Sequence, residues 1–237
     1  MNLNNILDEE KRIRETIERE YVDSTNESAP IYDGIVDPEQ YVPSSPRVLW
    51  ILKEPYDAGD VRKGGGWSLA QLLNKEPDRM SRGRAFQPIC YINYGIWTRV
   101  HAWDEMPSLR DCEEMRHSLR KIAFINVSKL PGLKVSPRAR ILEAYQQHHG
   151  VILDQIRTYA PNIIFACDPH ANLILKNLGF SESQWKWFAS AASIQVSSEQ
   201  RLVWVGHPSS RTKRAPYVND AINAATSDLV TDQKGKP

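Results

Sequence analysis

The chain has 237 residues, of which 25% are charged and 41% are hydrophobic, as is typical of a globular protein with one sizeable core. Its 30 Lys and Arg residues nearly balance its 29 Asp and Glu residues, so the net charge of +1 neither favours nor excludes a nucleic-acid partner. Three scattered Cys residues are too few for a disulfide framework or a four-Cys cluster. No apolar run approaches the roughly 20 residues of a membrane span, and no secretory signal is visible. We therefore expect a cytoplasmic protein that does not associate with a membrane.

The N-terminal segment, residues 1–22, is predicted to form a charged amphipathic helix. Ile6, Ile13 and Ile17 recur at helical spacing among many Glu and Arg residues. We interpret it as a peripheral helix packed on the core, with a partner-binding helix as the alternative. The following residues, 23–46, are rich in Ser, Pro, Asp and Asn and predict an irregular connector.

Four short apolar runs are predicted to form strands, and helical segments separate them. The strands are residues 47–53, 122–127, 162–167 and 202–206. Ser68 is a candidate N-cap for the first helix after the connector. The predicted helices are residues 69–73, 89–100, 109–121, 137–159, 169–178 and 217–225. This alternation predicts an α/β fold, with a parallel sheet covered by helices on both faces.

A polar residue stands at the end of each predicted strand: Glu54, Asn126, Asp168 and His207. Ligands of open α/β sheets bind in the crevice beyond the carboxyl ends of the strands, so three of these residues are expected to converge there. The segment Val203 to Arg211 carries the strongest signal, because a short apolar run leads directly into Gly-His-Pro-Ser and then into basic residues.

Each of these residue types suits a particular chemical role. Glu54 can orient or deprotonate a water molecule. The planar amide of Asn126 has donors and an acceptor that match the edge of a heterocyclic base. His207 can donate a hydrogen bond to a developing anion or act as an acid or base. Tyr56 and Trp67 offer flat faces that can stack on a base.

The segment after His207 has groups that suit phosphates. Arg211, Lys213 and Arg214 supply positive charge, while the amides of Ser209 and Ser210 supply donors, as does the loop at residues 64–66, which consists of three glycines. The sequence lacks the glycine patterns of nucleoside triphosphatases and dinucleotide-binding enzymes, and it lacks the nucleophile elbow of α/β hydrolases.

Taken in chain order, these residues resemble the uracil-DNA glycosylase superfamily. The run from Leu52 to Asp57, Leu-Lys-Glu-Pro-Tyr-Asp, is similar to the motif Gly-Gln-Asp-Pro-Tyr-His of its best-known branch. Gly66-Trp67-Ser68 resembles the segment with the stacking aromatic residue, and Asn126 matches the asparagine that reads the base edge. His207-Pro208-Ser209 matches a His-Pro-Ser motif. The resemblance spans residues 47–225.

The resemblance implies a three-layer sandwich around a central four-stranded parallel sheet. It also implies a monofunctional DNA glycosylase that hydrolyses the N-glycosidic bond of a flipped-out base, with no metal and no redox cofactor. Glu54, Asn126 and His207 would be the catalytic residues, and Lys53, Tyr56, Trp67 and Asn126 would bind the base. The DNA-binding positions would be Pro55, Ser68, Ser209, Ser210, Arg211, Lys213 and Arg214, with Arg211 as the side chain that enters the duplex.

The resemblance also implies an organisation and a range of substrates. Residues 1–46 would be an N-terminal helix and connector packed on the core, residues 47–225 the glycosylase-like domain, and residues 226–237 a polar tail. A monomer acting on single- or double-stranded DNA is expected. Because the first motif departs from the best-known branch at Leu52-Lys53, Glu54 and Asp57, the target can be uracil-like or a modified base, including a modified base of phage DNA in antiviral defence. Two alternatives stay open, an inactive DNA-binding module of the same fold and an unrelated nucleoside or nucleotide hydrolase.

Overall fold

A computed structural model of the chain describes residues 2–21, 28–57, 63–132, 135–210 and 213–227. The α-helices are α1 (Leu3–Glu20), α2 (Pro38–Tyr41), α3 (Leu69–Lys75), α4 (Pro77–Met80), α5 (Phe86–Thr98), α6 (Glu113–His117), α7 (Arg138–Tyr159), α8 (Ala171–Asn177) and α9 (Arg214–Thr226). The strands are β1 (Gly34–Ile35), β2 (Val48–Leu52), β3 (Ile122–Asn126), β4 (Ile163–Cys167), β5 (Lys186–Trp187), β6 (Ala191–Gln195) and β7 (Arg201–Val205).

The seven strands found in the described residues belong to one mixed sheet with the order β1-β3-β2-β4-β7-β6-β5. Strand β2 pairs in parallel with β3 and β4, and β4 pairs in parallel with β7. Strands β1, β6 and β5 add antiparallel pairings at the two ends of the sheet. The predicted α/β class is confirmed. The four predicted strands, β2, β3, β4 and β7, lie within a larger mixed sheet, because three further strands extend it.

Helices cover both faces of the sheet, because its inner strands are apolar on both sides. In β2, Val48 and Trp50 point into a core with α3, α5 and α9, whereas Leu49 and Ile51 point into a second core with α1, α7 and α8. Side chains alternate between the faces of a strand, so a continuous apolar run fills two cores at once. Trp50 stacks on Phe165 of β4 at 4.2 Å between ring centroids.

The N-terminal helix belongs to this second core. Ile6, Ile13 and Ile17 of α1 are buried, and the helix packs along α7. Burying three such side chains stabilises the folded state by roughly 1.5–3 kcal/mol each. This placement agrees with the predicted peripheral helix packed on the core.

The added strands lie where sequence patterns are weak. Strand β1 and helix α2 fall inside the predicted irregular connector, and each is too short to show a period. Strand β6 reads Ala-Ala-Ser-Ile-Gln, a composition with little strand preference, and it is a strand because it pairs with β7 and is covered by α9. The predicted helix at 109–121 is shorter, with α6 followed by a 3-10 helix at Ser118–Lys121.

Most of the predicted polar tail, residues 228–237, lies outside the described residues. Within the described part of the chain, no helix has both the length and the apolar character needed to cross a membrane.

Candidate functional site

The parallel strands end at one edge of the sheet, and their order reverses there. From β2 the chain moves to β3 on one side and then to β4 on the other, which makes the boundary between β2 and β4 a topological switch point. Leu52 pairs with Asn126 and Cys167 pairs with Val205, so the residues that follow β2, β4 and β7 emerge beside Asn126 at this edge. Adjacent strands are about 4.8 Å apart, and the four predicted strand ends therefore span roughly 14 Å. The sheet brings them together as the sequence predicted.

His207 is held in one orientation by the turn that follows it. Its Nδ1 accepts a hydrogen bond from the Ser209 backbone N–H at 3.2 Å and lies 2.8 Å from Ser209 Oγ. Because Nδ1 accepts from a backbone donor, the proton of the neutral ring belongs on Nε2. Burial, reinforced by the positive charge of Lys53, lowers the pKa of His207 to about 4. His207 is therefore a neutral imidazole near pH 7, with Nε2–H as a donor.

Asn126 is buried at the end of β3. Its backbone N–H donates to Asp33 Oδ2 at 2.7 Å, and its carbonyl accepts from Lys129 Nζ at 2.8 Å. Its side-chain Nδ2 is also buried but has no hydrogen-bond partner among the described residues. A buried donor without a partner costs roughly 1–3 kcal/mol, and such a donor is typical of a site that a ligand completes.

Glu54 packs closely against the loop that follows β3. Its side chain is only 1% exposed, and its Oε2 lies 3.4 Å from Nε of Arg140 on α7. A Cβ on Gly132 would lie 2.3 Å from Glu54 Cγ, so only glycine leaves room for this side chain. The carboxylate thus occupies a tight space formed by Gly132, with a cation beside it.

Trp67 is fixed by Asp57 and by the glycine loop. Asp57 Oδ2 accepts hydrogen bonds from Trp67 Nε1 at 3.0 Å and from the Gly65 N–H at 3.1 Å. Gly65 has φ +90°, and a Cβ there would lie 1.8 Å from the carbonyl oxygen of Ala29. The loop therefore needs glycine at position 65, and the indole N–H of Trp67 has its hydrogen-bond acceptor in Asp57.

The other residues of the first motif take different positions. Pro55 is buried, and its carbonyl accepts from the Gly132 N–H at 2.8 Å. Tyr56 is 60% exposed and forms a bridge with Gly132. Lys53 is half-buried, and its charge acts on His207. Ser68 caps α3, as predicted, by accepting from the Gln71 N–H at 3.2 Å.

The predicted DNA-contacting segment lies at the same edge. Ser210 is exposed and its N–H donates to the His207 carbonyl at 2.8 Å. Lys213 and Arg214 are exposed at the start of α9. Arg211 lies outside the described residues, so the proposed duplex-entering side chain has no structural description.

No protein-family model matches this sequence, and no curated protein matches it.

Sequence reasoning missed His170, which lies beneath this edge. Its Nε2 is 3.0 Å from the carbonyl oxygen of Ile51, while its buried Nδ1 has no partner in the described part of the chain. Burial, with the charges of Lys53 and His207, lowers its pKa to about 3. Its position two residues after Asp168, at the end of the third predicted strand, was the available signal.

Asp33, Lys129 and Arg140 were also missed. Asp33 stands in the segment predicted to be an irregular connector, and Lys129 stands in a strand-end loop. Both are fully buried beside Asn126. A charged residue in a loop normally indicates solvent exposure, so nothing in the local sequence marked these two as buried.

Proposed function

We propose that this protein is a DNA glycosylase with a fold like that of the uracil-DNA glycosylase superfamily, which hydrolyses the N-glycosidic bond of a base flipped out of DNA. The observation that carries the proposal is the buried, unpartnered Nδ2 of Asn126 at the sheet edge where the neutral His207 also lies. A planar amide with a free donor matches the acceptor on a base edge and would satisfy its missing hydrogen bond.

In the proposed reaction, the bond between the sugar C1′ and the base nitrogen breaks, and its electron pair leaves with the base. Trp67 stacks on the base, and Asn126 hydrogen-bonds its edge. His207 Nε2–H donates to the anion that forms on the base, an interaction that is strong where water is excluded. The departing base then takes a proton from solvent.

Glu54 acts on the other side of the broken bond. Its carboxylate stabilises the positive charge of the oxocarbenium-like sugar, as carboxylates do in glycoside hydrolysis. It also accepts a proton from the water molecule whose oxygen attacks C1′. Arg140, whose Nε lies 3.4 Å from Glu54 Oε2, pairs with this carboxylate and orients it.

The exposed residues around the crevice suit a DNA backbone. Lys213 and Arg214 supply positive charge next to the His207 turn, and Ser209 and Ser210 supply hydroxyl groups. Flipping a nucleotide costs a few kcal/mol, which such phosphate contacts offset. The base is uracil-like or modified, and a modified base of phage DNA in antiviral defence fits the same chemistry.

The proposal is tested with duplex and single-stranded DNA containing uracil, hypoxanthine, 5-substituted or glucosylated pyrimidines, followed by alkali to cut abasic sites. We expect excision of one base class, and a loss of about 100-fold or more for both Asn126→Ala and His207→Ala. Asn5→Ala and His149→Ala, which change exposed residues on α1 and α7, are the matched controls and should excise at the wild-type rate. Absence of cutting on every substrate, natural phage DNA included, would refute the proposal.

One observation favours a second candidate, an inactive base-binding module. Glu54 is enclosed by Gly132 and paired with Arg140, which limits its access to a water molecule. Such a module would bind DNA that carries a flipped base and create no abasic sites, and Glu54→Gln would leave its affinity unchanged. A nucleoside or nucleotide hydrolase using the same crevice would act on free nucleosides, with little dependence on salt.

A further inference from the structure

A buried ion pair lies directly behind Asn126. The Lys129 ammonium has no solvent exposure, and its three N–H donors are shared among four oxygens: Asp33 Oδ1 at 2.8 Å, Asp33 Oδ2 at 2.9 Å, the Asn126 carbonyl at 2.8 Å and Gln155 Oε1 at 2.9 Å. Asp33 also accepts from Gln155 Nε2 at 3.1 Å. The lysine and the aspartate therefore have their charges and hydrogen bonds satisfied by each other and by two neighbours.

The same ion pair holds both backbone polar groups of Asn126. Asp33 accepts the Asn126 N–H at 2.7 Å, and Lys129 donates to the Asn126 carbonyl. Asn126 is the last residue of β3, where the regular ladder ends. The two contacts clamp its peptide groups from one side, which fixes the direction of the Cα–Cβ bond and hence of the side-chain amide.

Stability alone does not explain this arrangement. Buried ion pairs are expensive to desolvate, and replacing one with apolar residues of similar volume is often neutral or stabilising. Most of the buried side chains in the two cores are aliphatic or aromatic. A fully buried charged pair among them, with contacts to the main chain of a single site residue, indicates a role in placing that residue.

We propose that Asp33 and Lys129 are positioning residues that set the orientation of the base-recognising amide of Asn126. The effect of these two residues on activity rests on the proposed function, whereas the orientation of the Asn126 amide is a property of the protein without substrate. Neither residue touches the substrate. Gln155 of α7 contacts both charged residues and donates to Tyr159 of the same helix at 3.2 Å, so α7 also holds the ion pair in place.

The test uses the charge-neutral double variant Asp33→Val/Lys129→Met of the full chain, because single removal of either charge would strand the other in the core. In the double variant the Asn126 N–H loses its acceptor and the Asn126 carbonyl loses its donor. We expect hydrogen exchange of the Asn126 backbone amide to rise about 10-fold or more, with that of Phe124 unchanged. Single-turnover excision should fall about 100-fold, as expected for an ångström-scale misplacement, with KM for DNA unchanged.

Asn93→Ala is the matched control for lost stability. It removes the buried hydrogen bond from Trp50 Nε1 to Asn93 Oδ1, 3.1 Å long, which lies in the other core. It should lower the free energy of unfolding without changing Asn126 exchange or the excision rate. If this double variant fails to fold, Asp33→Asn/Lys129→Met is measured in the same way. It is also neutral but keeps an oxygen that can accept the Asn126 N–H, so a smaller rise in exchange and a smaller loss of excision are expected.

The two proposals fail separately. Wild-type protein that excises no base refutes the glycosylase, while the exchange measurement still decides the positioning role. Wild-type exchange at Asn126 in the folded variant refutes the positioning role even if excision occurs. Loss of excision in the Asn93→Ala control to the same extent as in the double variant would also refute it.

Discussion

Replacing Glu10 with Gln should stabilise the protein at alkaline pH and have little effect near pH 4. Glu10 lies on α1, where its carboxylate packs against the Cα of Gly34 and the Tyr159 hydroxyl and accepts the Ile35 N–H at 3.3 Å. Burial raises its pKa from 4.5 to about 7, although hydrogen bonds from Tyr159 and the Ile35 N–H oppose the rise. The neutral carboxyl is thus the form that the fold prefers.

The sign follows from proton linkage. Between pH 4.5 and about 7 the folded state keeps the proton that the unfolded state has lost, so stability falls as pH rises through this window. A shift from 4.5 to about 7, at 1.36 kcal/mol per pKa unit, corresponds to about 3 kcal/mol. This figure is an upper limit, because Glu10 lines a groove of about 380 Å³ between α1 and α3 and is itself only partly buried.

Glutamine keeps the shape of the neutral carboxyl and carries no charge at any pH. We therefore expect Glu10→Gln to raise the free energy of unfolding by up to about 3 kcal/mol at pH 8, or roughly 6–12 °C in Tm for a chain of this size, and by less than about 0.5 kcal/mol at pH 4. Urea unfolding of both proteins at pH 4, 5, 6, 7 and 8 measures the difference. Glu15→Gln, on the exposed face of the same helix, is the control and should change stability by less than about 0.5 kcal/mol throughout. A difference between Glu10→Gln and wild type that stays constant from pH 4 to pH 8 would refute the reasoning.

The remaining predictions concern the crevice. Long-range ¹H–¹⁵N NMR of the imidazole should show His207 with its proton on Nε2. The ring should titrate with a midpoint of about 4, because burial and the charge of Lys53 disfavour the cation. A midpoint near 6.5 would mean that the ring is solvated. Asp57→Ala should lower the free energy of unfolding by about 1–3 kcal/mol and shift the Trp67 indole N–H resonance, because the indole and the Gly65 N–H lose their common acceptor. Asp57→Asn keeps one acceptor and should lose less, so equal losses in the two variants would contradict the assigned contacts.

The sequence predicted much of the sheet because its inner strands have an unambiguous pattern. Continuous apolar runs such as the one in β2 need two covered faces, and each end of a predicted strand lies within one residue of the observed end. The added strands had no such pattern, since β1 has two residues and β6 has a single β-branched residue, Ile194, among Ala, Ser and Gln. Their pairing comes from neighbours that are distant in the chain, which a local pattern does not record.

By itself, the sequence determined which polar residues stand at the ends of the parallel strands, because a strand's end is a local property and parallel strands share one edge. Glu54, Asn126 and His207 were identified in this way. Only the tertiary structure decided their states: the neutral Nε2–H form of His207 comes from the Ser209 turn and burial, and the orientation of Asn126 comes from the buried Asp33–Lys129 pair. Asp33 and Lys129 are 96 positions apart in the chain, and the charge of each is stable in the core only because folding brings the other to it.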